Sequence, residues 1–177
     1  MKPETYTLMH KMYCVATSKN ELEIVLRRFK EITEGTTNSA RREDQFDEAW
    51  ATSCIADLYA RLHEPFLAER SYREAIRLFE QYGMYLNAAV VSVAFGVFLR
   101  EIGRLEETEE MLNQNIRLLV KYWGVGHHNV LSAEEELKHF QLTGNYIEAF
   151  RHAWCKDCNV DKYGVGFDFE DSDRAEL

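Results

Sequence analysis

Three segments of the chain repeat one pattern of apolar and small positions at a regular interval. The small residues Ala68, Thr108 and Ala149 mark equivalent points and lie 40 and 41 positions apart. Around each of them, large apolar residues recur at offsets of three and four, which places them on one stripe of a helix. Internal repetition of this kind indicates an array of similar helical units. The other residues that share the pattern are Ile55, Ala56, Tyr59, Tyr72 and Ala75 in the first segment, Phe95, Gly96, Leu99, Leu112 and Asn115 in the second, and Leu137, Phe140, Ala153 and Lys156 in the third.

Each segment also contains a turn between its two helical stripes. These turns are His63-Glu64-Pro65, Gly103-Arg104 and Gly144-Asn145. Because glycine and proline interrupt helices, each segment predicts a helix hairpin. A less regular unit precedes them, with Tyr13, Ala16, Val25 and Phe29 at the same spacings. The expected fold is all-α, an α-solenoid of about four antiparallel helix hairpins, with approximate units at 5–38, 45–83, 86–124 and 127–158.

The spacing of small and large residues around these turns resembles the tetratricopeptide repeat (TPR), whose usual length is about 34 residues. The longer period, the entry at residues 127–131 and the turn at residues 144–149 are similar to the repeats of kinesin light chains. The resemblance implies a helical repeat domain at residues 1–160 that forms a right-handed superhelix with a concave inner face. That face would bind an extended or helical peptide. Glu136 and Lys156 stand where the other units have apolar or small residues, so we expect the outer helix of the last unit to be partly exposed or to cap the stack.

The groove predicted from this resemblance is lined by the first helix of each hairpin, on the side away from the packing stripe. Val90, Val93 and Val97 form an apolar stripe at helical spacing in the second unit, distinct from the packing side with Phe95 and Leu99. The stripe predicts either a groove floor for a partner helix or a central helix that is buried all round. A clamp for a terminal carboxylate is not expected, since the basic set is too sparse. The candidate partner-binding residues are Trp50, Ser53, Asp57, Arg61, Val90, Val93, Val97, Arg100, Glu134, Lys138 and Gln141.

Charge and composition exclude several function classes. The net charge is −9, with 30 acidic and 21 basic residues, so a nucleic-acid backbone would be repelled over most of the surface. The longest apolar run, at residues 88–99, is shorter than the roughly 20 residues that cross a bilayer. The N-terminal segment lacks the apolar stretch of a secretory signal. We therefore expect a cytoplasmic protein that binds neither nucleic acid nor membrane, with reduced cysteines.

Catalytic and cofactor motifs are not evident in the sequence, so we predict neither an enzyme nor a cofactor. Phosphate-binding glycine loops, GxSxG and HExxH are missing. Cys155 and Cys158, with His152 one turn earlier, have the local spacing of a zinc or thiol-redox site, but this supplies half of a four-ligand site. Packing of the two cysteines in a helix is the simpler interpretation, and metal or redox chemistry remains a remote alternative.

The predicted function is therefore protein–protein interaction, as an adaptor or chaperone-like module that holds a peptide or helix of a partner. The alternative is a structural protein that associates with itself through its apolar surface, as a homo-oligomer. Residues 161–177 read as a flexible acidic tail. A sharper hypothesis for this tail is that Phe167 and Phe169 occupy the groove as an internal ligand.

Overall fold

The computed structural model describes residues 15–146, and the prediction of an all-α fold is confirmed over this range. Strands are absent from it. The first helix predicted for the N-terminal unit and the last helix predicted for the C-terminal unit lie outside the described residues. The helices are α1 (Lys19–Thr36), α2 (Arg42–Arg61), α3 (Pro65–Gln81), α4 (Tyr85–Glu101), α5 (Leu105–Trp123) and α6 (His128–Thr143).

The same backbone turn joins α2 to α3, α3 to α4 and α4 to α5. After α2, the amide of Glu64 donates to the carbonyl of Tyr59 (2.9 Å) and the amide of His63 donates to that of Ala60 (3.1 Å). This pair of bonds is the Schellman motif, which closes a helix with one residue in the left-handed conformation. Gly83 and Gly103 occupy that position in the other two turns, whereas the first turn uses His63 at φ 60°. The short turns make neighbouring helices antiparallel, as the sequence predicted.

Local signals set where the helices begin. Ser18 and Glu21 form a capping box at the start of α1, in which each side chain accepts a hydrogen bond from the backbone of the other. These bonds, from Ser18 first and then from Thr17, lower the pKa of Glu21 to about 2. Pro65 lies in the first turn of α3, where its missing amide proton is not needed. Residues at or next to the helix starts therefore account for where α1 and α3 begin.

Each helix packs mainly against its neighbours in the chain, and the contacts are most extensive within the pairs α2–α3 and α4–α5. Ala68 and Thr108 are fully buried, and the Thr108 hydroxyl lies 3.4 Å from the carbonyl oxygen of Gly96. Small side chains thus let the two helices of a pair approach closely. Between pairs, Tyr72 of α3 stacks on Phe95 of α4, with ring centroids 5.2 Å apart. The alternation of small and large core residues predicted from the repeat is present.

Alternate helices define two faces of the stack. The helices α2, α4 and α6 are the first members of their hairpins and make up the face on which the predicted groove residues were placed. The helices α1, α3 and α5 make up the other face, which we call the outer face. Clefts on the outer face lie between α1 and α3 above α2, and between α3 and α5 above α4.

Candidate functional site

Trp50, the first of the predicted groove residues on α2, belongs to the core. Trp50 is 8% exposed, and its ring meets that of Phe29 edge to face with centroids 5.3 Å apart. Ser53 is half-buried and donates from its hydroxyl to the Trp50 carbonyl at 2.7 Å. Trp50 therefore fills the interface between α1 and α2, and little of its side chain is left to line a groove.

Asp57 and Arg61 are half-buried, and each is engaged within the domain. The Tyr72 hydroxyl donates to the carboxylate of Asp57, which ties α2 to α3. Burial raises the pKa of Tyr72 well above its ordinary value, and the Asp57 charge adds to the effect. The guanidinium of Arg61 donates to the carbonyl of Ala16. Both side chains hold parts of the fold together.

The valine stripe of α4 is partly or fully covered within the domain. Val93 is 3% exposed, and Val90 is half-buried. Val97 packs against a buried cluster formed by Leu112, Phe140 and Tyr146. These values agree better with the alternative interpretation, a central helix that is buried all round, than with an open groove floor.

The remaining predicted residues are Arg100 at the end of α4 and three residues of α6. Arg100 donates to the carbonyl of Gly144 at 3.2 Å and to the side chain of Asn145, which fixes the turn after α6. Glu134 is half-buried and Lys138 is exposed. Gln141 is also exposed and donates to a carboxylate oxygen of Glu109 at 2.6 Å.

Glu136 is a charged residue at a position that is apolar in the other units, and it is buried. The outer helix of this unit, for which partial exposure or capping was expected, lies outside the described residues. The Glu136 side chain is 1% exposed on α6, beneath the turn that carries Tyr146. Burial raises the pKa of the Tyr146 hydroxyl above its ordinary value, and the Glu136 charge raises it further. A carboxylate thus occupies the position of Ile55 and Phe95 in the other units and is nevertheless enclosed.

The larger cleft of the outer face, which we call the α1–α3 cleft, has a volume of about 260 Å³. Its floor is formed mainly by Ile55 and Tyr59 of α2, and its walls are α1 and α3. Hydroxyl groups and charged groups surround this apolar floor. The lining residues are Lys30, Thr33, Thr52, Ile55, Tyr59, Leu67, Arg70, Ser71 and Glu74.

Two cations on opposite walls of the α1–α3 cleft form no ion pair within the described domain, although the charge of Arg70 also helps to lower the pKa of Glu74. The ammonium of Lys30 lies 5.3 Å from the centroid of the Tyr59 ring, a cation–π contact. Arg70 is exposed on α3, and within residues 15–146 neither side chain forms an ion pair. Glu74 is already paired with Arg77 at 2.6 Å, and this hydrogen bond is the main cause of the lowered pKa of Glu74. The cleft therefore combines an apolar floor with available positive charge.

The second cleft, which we call the α3–α5 cleft, is the repeat equivalent of the first and has a volume of about 190 Å³. Arg73 corresponds to Lys30 and lies over Phe95, which corresponds to Ile55, at 5.2 Å from the ring centroid. Unlike Lys30, Arg73 is paired with Glu69 at 2.6 Å. The lining residues are Arg73, Ile76, Arg77, Glu80, Phe95, Met111 and Gln114.

An ion-pair network beside the α3–α5 cleft neutralises its positive charge. Arg104 donates to Glu69 at 2.5 Å and also pairs with Glu107. Hydrogen bonds from Arg104 first and from Arg73 second lower the pKa of Glu69 to about 2. The two equivalent clefts thus differ in electrostatics, because the acids that neutralise the second have no counterpart at the first.

Sequence reasoning missed the outer face because the TPR resemblance directs attention to the first helix of each hairpin. A signal was present, since Lys30 and Arg73 lie 43 positions apart, the interval that separates the N-terminal unit from the next. Extending the repeat register to polar positions would have aligned these cations. Comparing the acidic residues near each cation would then have distinguished the charge of the two clefts.

A second exposed feature is a set of large apolar side chains at the hairpin turns, which we call the turn edge. Phe66 is 76% exposed and Leu142 is 86% exposed. The Arg104–Glu69 pair links the starts of α3 and α5, and Arg100 links the end of α4 to the turn after α6. The turns after α2, α4 and α6 therefore lie along one edge of the stack. The turn edge consists of Phe66, Ile102, Leu105 and Leu142.

The proposed metal or redox site at His152, Cys155 and Cys158 lies outside the described residues, as does the acidic stretch 161–177. Within residues 15–146, groups of three or more histidine, cysteine or acidic side chains in a metal-binding arrangement are absent. The helices of the same range are all too short or too polar to span a lipid bilayer. Cys54, on α2, is buried.

The resemblance to tetratricopeptide repeats and kinesin light chains stays a prediction from residue spacing. Its helical hairpins agree with the fold, but hairpins alone do not identify a family. Function has to be inferred from the geometry of the surface. Comparisons with protein-family models, with curated proteins and with solved structures found no match to this chain.

Proposed function

We propose that the chain is a non-catalytic, TPR-like module of the cytoplasm that binds a segment of a partner protein in the α1–α3 cleft. The observation that supports this proposal is the pair of exposed cations, Lys30 and Arg70, on either side of an apolar floor. Apolar surface supplies the free energy of association, and unsatisfied charges at its rim supply orientation and specificity. An adaptor or chaperone-like role follows from such a surface.

Binding is favoured over catalysis by the way the polar groups of the described domain are used. Catalysis requires a nucleophile or base within hydrogen-bond reach of a site that substrate can enter. The Tyr72–Asp57 pair and the Tyr82–Glu48 pair, the latter at 2.6 Å, join helices to one another. Their carboxylates contribute to packing of the stack, and neither pair lines the α1–α3 cleft.

A cleft-filling variant tests the proposed surface. Ser71→Trp places a large ring in the α1–α3 cleft, and Met111→Trp is the matched control because Met111 is the equivalent residue of the α3–α5 cleft. The immobilised full chain and both variants are incubated with native lysate, retained proteins are identified by mass spectrometry, and helical content is checked by circular dichroism. We expect a partner that the wild type and Met111→Trp retain and Ser71→Trp loses. Equal recovery of every retained protein by all three folded chains would contradict the proposal.

Self-association is the second candidate function, and the turn edge favours it. Exposed apolar side chains that line one edge are typical of interfaces between protein chains. Phe66→Ser with Leu142→Ser removes the two most exposed members of this edge. If the edge joins copies of the chain, sedimentation at several concentrations will show a wild-type oligomer and a monomeric double variant. A wild-type monomer at all concentrations would remove this candidate.

A further inference from the structure

We infer that the partner segment taken by the α1–α3 cleft presents one aromatic side chain flanked by carboxylates. This inference rests on the proposed function and adds the chemistry of the ligand. The observations that carry it are the volume of the cleft, the apolar character of its floor and the position of its two cations, which form no ion pair within the described residues. Each of these restricts the ligand in a different way.

The volume restricts the ligand to a small group. Sites for drug-sized molecules enclose about 300–1,000 Å³, whereas the α1–α3 cleft encloses about 260 Å³ and is open to solvent. A single side chain on a peptide fits this space better than a whole metabolite. The floor of Ile55 and Tyr59 and the wall residue Leu67 favour an aromatic ring, which buries a large apolar area against them.

The charges restrict what flanks that ring. Lys30 on α1 and Arg70 on α3 stand on opposite walls, so a peptide crossing the cleft passes one cation on each side of its anchor residue. The hydroxyl of Thr52 donates to the carbonyl of Glu48 at 2.7 Å, and that of Thr33 to Lys30 at 2.9 Å. These two hydroxyl protons are engaged in the backbone, which leaves the neutral hydroxyls of Ser71 and Tyr59 and the two cations as donors. Carboxylates match the cations, because hydrogen bonds between charged groups are the stronger ones.

The acidic surface of the whole chain does not reverse this preference. Its net charge of −9 would favour a basic partner at long range, but the Debye length is about 8 Å at physiological ionic strength. Contacts within the cleft are governed by nearby groups. The one carboxylate of the lining, Glu74, is paired with Arg77, so it offers little to an incoming cation.

The α3–α5 cleft serves as an internal comparison. It has the same position in the repeat and an aromatic floor residue, Phe95, but Glu69 and Glu107 pair with its arginine Arg73. An acidic peptide would have to displace these carboxylates. Of these two clefts, we therefore assign the acidic–aromatic ligand to the α1–α3 cleft only.

The experiment is a titration of the full chain with a fluorescein-labelled synthetic peptide in which phenylalanine is flanked on both sides by aspartate and glutamate. Two control peptides carry alanine for phenylalanine, or lysine for every acidic residue. Fluorescence anisotropy should show saturable binding of the first peptide, and each control peptide should bind at least about tenfold more weakly.

Variants of the full chain locate the binding. Lys30→Glu with Arg70→Glu should weaken binding of the acidic peptide by about tenfold or more, since two attractive contacts between opposite charges become repulsive contacts between like charges. The matched control, Arg28→Glu with Arg117→Glu, makes the same change of charge elsewhere. Arg28 lies two positions before Lys30 and so points about 200° away around α1, and Arg117 is exposed on α5. The control should change the affinity less than about twofold.

The inference would be overturned by failure of the acidic peptide to bind or by either of two other outcomes. One is equal or tighter binding of the lysine peptide, and the other is an equal loss of affinity in both charge-reversed proteins. If a lysate partner still depends on Ser71 while the acidic peptide does not bind, the ligand chemistry is wrong and the proposed function stands. If no partner depends on Ser71 either, the proposed function fails as well.

Discussion

The hydroxyl of Tyr146 occupies the space beside Gly96 where any other residue would carry its Cβ atom. A Cβ built on Gly96 would overlap this hydroxyl oxygen, although it would meet Cζ of the same ring at an ordinary 3.7 Å. Tyr146 is buried, and its ring lies 5.5 Å from that of Phe140. The turn after α6 is therefore seated on the middle of α4 through a glycine.

This relationship predicts a coupled pair of substitutions. Gly96→Ala should destabilise the fold by about 1–3 kcal/mol, because the new methyl group overpacks the contact. In the Tyr146→Phe background the hydroxyl is gone, and the same change should stabilise the fold by up to about 1 kcal/mol, since alanine has the higher helix propensity. Urea denaturation of the four proteins of this cycle measures the coupling.

A matched control is available in the same helix pair. Substitution of Phe140 by leucine should weaken packing in both backgrounds equally, because Phe140 contacts the Tyr146 ring and makes no use of the hydroxyl. If Gly96→Ala lowers the free energy of unfolding as much in the Tyr146→Phe background as in the wild type, contact with the Tyr146 hydroxyl is not the reason that glycine is required.

The helices and turns could be predicted because their signals are local. The spacing of Ala68 and Thr108 from their neighbours encodes a helical stripe, and the glycines encode the turns. The groove could not be predicted in this way. Val93 lies on a second apolar stripe of α4, and Trp50 lies on a mixed stripe of α2 with Ser53 and Asp57. Only the packing of neighbouring helices decides whether such positions are covered.

The available cations of the outer face illustrate a different limit. Lys30 and Arg73 occupy equivalent positions in the sequence, but only Arg73 forms an ion pair. Its partner Glu69, on α3, also pairs with Arg104 at the start of α5. Ion pairs between helices depend on side-chain positions that no periodic pattern records. The candidate site therefore emerges from three-dimensional contacts rather than from the repeat.

His63 predicts a stabilising substitution. It is exposed at φ 60°, in the turn position that Gly83 and Gly103 fill elsewhere. Since the left-handed conformation costs a non-glycine residue about 1 kcal/mol, His63→Gly should raise the free energy of unfolding by about that amount. The measurement is the midpoint of urea denaturation, together with its slope.

The reverse substitution is the control. Gly103 has φ 82° and open space around its missing Cβ, so Gly103→Ala changes backbone strain and little else. It should lower the free energy of unfolding by about 1 kcal/mol. A His63→Gly protein that is no more stable than the wild type would mean that the histidine side chain contributes a compensating contact.

Two of the residues first predicted to line a groove should respond very differently to truncation. Trp50→Ala should lower the free energy of unfolding by about 3–5 kcal/mol, because a buried aromatic side chain leaves a cavity against Phe29. Lys138→Ala should change it by less than about 0.5 kcal/mol, since Lys138 is exposed on α6. Thermal and urea unfolding both report the difference. A small effect at Trp50 would show that the α1–α2 interface relaxes around the loss.

Glu69 predicts an acid-dependent contribution to stability. Its pKa is lowered from 4.5 to about 2, chiefly by the hydrogen bonds from Arg104. A lowered folded-state pKa means that the contribution is complete above pH 4.5 and is lost as the pH falls towards 2. Glu69→Gln should therefore cost about 1 kcal/mol at pH 7 and progressively less below pH 4.5. Glu31→Gln, which removes an exposed pair with Arg28, should have little effect at any pH and serves as the control. Urea denaturation of the three proteins from pH 7 to pH 2 gives the comparison. A cost of Glu69→Gln that stays constant over this range would show that the carboxylate stabilises the α3–α5 contact through its shape and not through its charge.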